Sequence, residues 1–128
     1  MIHPQYIVAV TDIGSGQFKV FVKETEISFE FNIYLNDVKT LYKIKKRFQS
    51  GKIIELDKEQ YVLKINKQLQ TVIHFFRKNS LLNKYQHVKF QRWAYLYQKL
   101  IIEKDTDKSS KEMKKIKKRL LYFTNHMI

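Results

Sequence analysis

The stretch QFKVFVKETEISFEFNIYL (residues 17–35) decides the fold, because its side chains alternate in character twice over. In the first run Phe18, Val20 and Val22 fall on one side and Gln17, Lys19, Phe21 and Lys23 on the other. In the second, Ile27, Phe29, Phe31, Ile33 and Leu35 alternate with Ser28, Glu30, Asn32 and Tyr34. A period of two sends successive side chains to opposite faces, so both runs predict half-buried strands. Glu24-Thr25-Glu26 joins them as a hairpin.

Downstream, Asn36 or Asp37 can cap a helix whose apolar stripe is Val38, Leu41, Ile44 and Phe48. Lys39, Lys43, Lys46 and Arg47 occupy its opposite face, and Ser50-Gly51 stops it. A second hairpin follows, with strands at residues 52–56 and 60–65 around Asp57-Lys58-Glu59. Leu69, Val72, Ile73 and Phe76 have helical spacing up to a break at Asn79-Ser80. Phe90, Trp93, Ala94, Tyr97, Leu100 and Ile101 predict a longer amphipathic helix. Residues 103–111 are polar, with a turn at Asp105-Thr106-Asp107. Ser109 and Glu112 have capping-box spacing and introduce a last helix, with Met113, Ile116 and Leu120 inside and a dense lysine face outside. Upstream, Tyr6-Ile7-Val8-Ala9-Val10 suits a strand by composition, yet Pro4 before it and Gly14 after it suit a helix. Two hairpins, each followed by a helix, and then further helices make an α+β domain. The expected division is a core over residues 1–103 and a Lys-rich C-terminal helix over 104–128, packed on that core or extending from it.

The 128 residues suffice for one domain, and 44% hydrophobic content supplies a core for it. Lys and Arg number 25 against 12 acids, a formal charge of +13. Such a surplus on a small folded domain points to a polyanion, nucleic acid before anionic membrane. No apolar run is long enough to span a bilayer. Zero cysteines exclude disulfides and zinc ribbons, and His3, His74, His87 and His126 lack metal-ligand spacing. Neither a metal nor another cofactor is expected. Abundant Lys, Ile, Asn, Tyr and Phe fit an AT-rich genome such as an organelle's, and residues 1–5 carry no presequence or secretory pattern. The expected location is the mitochondrion, with organelle encoding.

Tyr6-Ile7-Val8-Ala9-Val10-Thr11-Asp12 followed by Gly14-Ser15-Gly16-Gln17-Phe18 resembles the signature of the LAGLIDADG homing endonucleases. Further pieces fall in that family's order. Phe29-Glu30-Phe31, Leu41-Tyr42-Lys43-Ile44-Lys45 and Ser50-Gly51-Lys52-Ile53 resemble its second strand, helix and third strand. Tyr61-Val62-Leu63-Lys64-Ile65 resembles its fourth strand, and Asn79-Ser80-Leu81-Leu82-Asn83-Lys84 the segment before its penultimate helix. The resemblance implies an αββαββα saddle, with residues 5–13 helical and additional C-terminal helices. Gln17, Lys19, Phe21 and Lys23 would then line a nucleic-acid groove, with Ser28, Asn32, Tyr34, Lys52 and Lys64 beside them. Lys suits phosphates, whereas Gln, Asn and Ser reach base edges. Phe21 and Tyr34 are the stacking candidates; Tyr85, Trp93, Tyr95 and Tyr97 are expected to pack. Lys84 matches a basic position near the scissile phosphate, while Lys111, Lys114, Lys115 and Lys118, with Lys117 and Arg119, would add phosphate contacts outside the saddle.

The same resemblance implies a metal-binding acid two positions after the one matched by Asp12, and that position is Gly14. Asp12 matches an earlier, structural acid. Ile13 stands where a small residue lets two signature helices cross, although Ala9 keeps another small position. A single motif requires a second copy, or another protein, on the helix face around Ala9. No catalytic residues are therefore assigned. The expected function is non-catalytic binding and stabilisation of structured RNA in an organelle, as a ribosomal protein or an rRNA- or intron-stabilising factor. Its expected partners are rRNA and other ribosomal proteins, with no membrane. The alternative is a homodimeric Mg²⁺-dependent DNA homing endonuclease, and a DNA-binding regulator is the third reading.

Overall fold

Strands β1 (Gly16–Lys23) and β2 (Glu26–Leu35) pair antiparallel, from Gly16 opposite Ile33 to Lys23 opposite Glu26. The computed structural model describes residues 2–24, 26–104 and 106–126, with side chains as far as 123; the turn residues Thr25 and Asp105 lie outside the described residues. β2 also pairs with β4 (Gln60–Ile65), which pairs with β3 (Lys52–Asp57), giving the sheet order β1-β2-β4-β3. An irregularity between Glu55 and Asp57 breaks the register at the β3 edge.

One face of this sheet is buried. Phe18 stacks on Phe31 at 4.9 Å between ring centroids and meets Phe76, Phe90 and Trp93 at 5.5, 5.4 and 5.2 Å. These rings come from α3 (Leu69–Lys78) and α4 (Lys84–Tyr97). α2 (Val38–Phe48) adds Leu41, Ile44 and Phe48, all buried. The result is a helical layer on one side of a four-stranded sheet, an α+β architecture.

The ambiguous first element is a helix, α1 (Pro4–Asp12). His3 caps it by accepting the Gln5 N–H, Pro4 takes the first position where no donor is needed, and Ile7, Val8, Val10 and Thr11 form its buried face. At α2 the cap is Asp37 rather than Asn36. Its carboxylate accepts from the backbone N–H groups of Lys39 and Thr40 and from the Thr40 hydroxyl, and these bonds hold it below the usual carboxylate range. The helix ends at Gln49, in the left-handed region at φ 55°. Gly51 follows at φ +114°, where a Cβ would lie 2.7 Å from Leu63. Only glycine fits both demands.

The C-terminal half departs from the simple pattern in three ways. The stripe after Tyr97 continues as a π-helical turn (Gln98–Ile102), in which the Glu103 N–H donates to the Gln98 carbonyl. In α5 (Ser110–His126), Met113 is exposed, Ile116 is buried, Leu120 is partly buried, and Phe123 is fully buried as an unanticipated anchor. The capping box is half made: Glu112 N–H donates to Ser109 Oγ, but the Glu112 carboxylate pairs with Lys99, which also pairs with Glu103. Those two carboxylates hold the Lys99 ammonium above its usual range.

α5 thus packs on the core. Arg119 stacks on Tyr95 at 4.5 Å instead of joining the outward lysines, and Arg92 stacks on Tyr122 at 4.2 Å. Beside it, the Trp93 indole donates to the Lys19 carbonyl at 3.0 Å and ties α4 to β1. Among the described residues, no helix is long and apolar enough to cross a membrane. Ile116→Ala is expected to cost about 2–4 kcal/mol, as for a buried aliphatic truncation. Urea unfolding should lose stability in a single transition, whereas Lys114→Ala should stay within about 0.5 kcal/mol.

Candidate nucleic-acid interface

The cross-strand register fixes which side chains share the open face of the sheet. Gln17 stands opposite Asn32, Asn32 opposite Lys64, and Lys64 opposite Lys52, so one row crosses all four strands. Lys19–Glu30, Phe21–Ser28 and Lys23–Glu26 lie to one side of that row. Tyr34, Val62 and Ile54 lie to the other. The nine sheet residues named from the sequence are therefore brought together on one face.

Their availability differs. Phe21, Lys23, Ser28 and Lys52 are exposed, and Gln17, Lys19, Tyr34 and Lys64 are half-buried. Asn32 corrects the expectation of a groove contact, because it is fully buried in the middle of the central row. Its amide donates to Glu30 Oε1 at 3.0 Å, and its Oδ1 is a buried acceptor with no partner. Lys19 Nζ donates to the Tyr34 hydroxyl at 3.0 Å and lies 5.4 Å from the ring centroid. Those distances put the ammonium at the hydroxyl end of the ring, not over its face.

Glu30 is the residue that sequence reasoning missed. It sits between Lys19 and the Asn32–Lys64 pair, with Lys64 Nζ 4.0 Å away. Its place in the alternation was visible, but a carboxylate does not suit phosphate binding. The face thus carries Lys19, Lys23, Lys52 and Lys64 against Glu26 and Glu30, a modest surplus for a chain of +13.

At the end of α1 the Ser15 N–H donates to the Val10 carbonyl and the Gly14 N–H to the Thr11 carbonyl. This is a Schellman ending, with Gly14 at φ +102° in its left-handed position. A Cβ on Gly16 would lie 2.6 Å from Thr11 Oγ1, which itself donates to the Ile7 carbonyl. Each oxygen of the Asp12 carboxylate accepts a backbone N–H, from Leu82 at 3.0 Å and Asn83 at 3.1 Å. Asn83 returns a bond from Nδ2 to the Asp12 carbonyl while its Oδ1 caps α4. Lys84 is exposed at the first position of α4, beside this clasp.

Tyr6, Ala9 and Ile13 form an exposed stripe on α1, with Ile13 79% accessible. Lys111, Lys114, Lys115 and Lys118 are exposed on α5, away from its buried Ile116 and Phe123. They form a surface separate from the cross-strand row. No group of three or more His, Asp or Glu among the described residues is placed to hold a metal ion. Asp12→Ala should cost about 1–3 kcal/mol by removing two charge-assisted hydrogen bonds between α1 and the start of α4, read as a lower midpoint in urea.

A family model described as LAGLIDADG endonuclease matches residues 13–97, so α1 itself lies outside the matched region. Among solved structures, the homing endonuclease I-TnaI is similar at 25% identity and TM-score 0.77, over 95% of this chain and 88% of that one. An archaeal intron-encoded homing endonuclease complexed with DNA has TM-score 0.78 at 19% identity, over 95% and 82%. The LAGLIDADG meganuclease I-AabMI bound to uncleaved DNA has TM-score 0.72 at 24% identity, over 90% of this chain and 42% of that one. No curated protein matches the chain.

Proposed function

Because the chain belongs to the LAGLIDADG endonuclease family, whose fold implies nucleic-acid binding, we propose that it binds structured RNA without cleaving it. The observation that carries this reading is the end of α1. Gly14 adopts a backbone conformation that L side chains rarely take, so the position implied for a metal-binding acid is built around glycine. Asp12, the nearest carboxylate, has both oxygens turned onto the backbone of residues 82 and 83. These residues do not fit a divalent-cation site. Asp12 acts as a structural clasp between α1 and α4.

The open face supports phosphate contact more than base reading. Lys19, Lys23, Lys52 and Lys64 suit a backbone, and Phe21 offers a ring for an unstacked base. Asn32 is withdrawn, leaving Gln17 and Ser28 as amide and hydroxyl groups for base edges. Glu30 can only accept, from a base amino group such as that of cytosine or from a ribose 2′-hydroxyl. RNA is the better ligand for such a face, because an A-form helix hides its major groove and is held through its backbone. Lys84 and the lysines of α5 add contacts beyond the sheet. The abundant Lys, Ile, Asn, Tyr and Phe, which fit an AT-rich genome, and the +13 charge favour an organellar ribosomal or intron RNA, in the mitochondrion. We assign the exposed α1 stripe, with bulky Ile13 prominent, to contact with another protein of that particle or with a second copy.

A second reading, a homodimeric Mg²⁺-dependent DNA endonuclease, is favoured by the match to I-TnaI along nearly the whole of both chains. Sequencing the nucleic acid that co-purifies with the protein, beside a Mg²⁺ cleavage assay, separates the two. One dominant structured RNA and no cut product is the expected result; a specific duplex cut in Mg²⁺ would establish the second reading. Lys19→Gln with Lys52→Gln should weaken RNA binding and flatten the log–log salt dependence by roughly 0.7–0.9 per lysine.

A further inference from the structure

A cluster of uncompensated positive charge lies on the helical layer, on the side opposite the sheet's open face. Residues 60–102 contain no Asp or Glu, and neither do residues 38–54. α2 turns Leu41, Ile44 and Phe48 inward, with Phe48 against Phe31 of the sheet and Phe75 of α3. Lys39, Lys43, Lys46 and Arg47 therefore project away from the sheet, and all are exposed. Next to them α3 exposes Gln70, His74, Arg77 and Lys78.

Two depressions meet at Arg47. One, of about 430 Å³, runs between α2 and α3 and is lined by Arg47, Gln70, His74 and Lys78 over the Phe48 and Phe75 rings. The other, of about 630 Å³, is lined by Ile2, Lys43, Lys46, Arg47 and Gln49. The Arg47 guanidinium lies 5.5 Å from the Phe75 ring centroid, which holds it at the junction. The ion pairs among the described residues are Lys64–Glu30, Lys99–Glu103 and Lys99–Glu112, so this track has no carboxylate of its own. Like charges gathered without counter-charge oppose the compact state, and an anion relieves that repulsion. A guanidinium seated on a ring still presents its N–H edge for bidentate phosphate bonds.

We propose that the Lys43–Lys46–Arg47–Lys78 track is a second RNA-backbone site, so that the protein bridges two RNA segments, one on the sheet and one on the helices. The proposal rests on RNA as the ligand, and the bridge rests also on the sheet contacts proposed above. Substituting Lys43, Lys46, Arg47 and Lys78 together with Gln leaves the buried faces of α2 and α3 untouched. The comparison variant carries Lys19→Gln, Lys23→Gln and Lys52→Gln. Each is titrated with a short RNA hairpin, and the number bound per protein is read by native mass spectrometry over a salt series.

The wild type is expected to bind two hairpins, and each variant one. Loss of the helical track should weaken the affected event roughly tenfold or more and lower its salt slope by about 0.7–0.9 for each cation removed. A helical-track variant that keeps the wild-type stoichiometry and slope would overturn the second site, whatever the sheet variant does. If the wild type binds DNA duplex and no hairpin, the RNA reading itself fails, and the second site with it. Ultraviolet cross-linking of the wild-type complex gives an independent readout: adducts in α2 and α3 support the site, and adducts confined to the sheet strands overturn it.

Discussion

Phe18 is the contact on which the rest of the structure depends. Its ring touches Phe31 from the next strand, Phe76 from α3, and Phe90 and Trp93 from α4, so one side chain joins the sheet to two helices. Because strand side chains alternate, seating Phe18 below the sheet places Gln17 and Lys19 above it. A slip of one residue would bury the lysines and expose the phenylalanines. The same seating puts the Lys19 carbonyl within reach of the Trp93 indole. The charged face is therefore a geometric consequence of the core.

Much of the fold was legible because period-two alternation and capped helical stripes are local signals. α1 was not, since Ile7, Val8 and Val10 are β-branched and favour strands on their own. The helix is selected by His3, Pro4 and the burial of one face, which is a tertiary effect. The open face was legible as a set of residues but not in its hierarchy. Asn32 is buried and Glu30 central only because β4 lies beside β2, a neighbour the local pattern does not reveal. Phe123 was missed near the chain end, and Met113 was assigned inward on spacing alone. Asp12 illustrates the limit most clearly: its partners lie seventy residues away in sequence.

The end of α1 links packing to chemistry. A carboxylate can serve as a cation ligand or as an acceptor for backbone donors, and here its oxygens serve the second purpose. That choice ties α1 to the start of α4 and leaves glycine to turn the chain into β1. The match to the family model begins at Ile13, so Ile13 and Gly14, where the chain departs from the pattern the resemblance implies, stand at the start of the matched region.

The two rims of the sheet are treated differently. Along β1, α4 and α5 pack against the strand, and the Trp93 indole donates to the Lys19 carbonyl from the helical layer. The β3 rim is bare, but the break in register at Glu55 and Asp57 and the charge of Lys52 disrupt the flat ladder that an added strand would copy. The register break and the lysine thus guard the β3 margin against strand addition, while the broad face stays open.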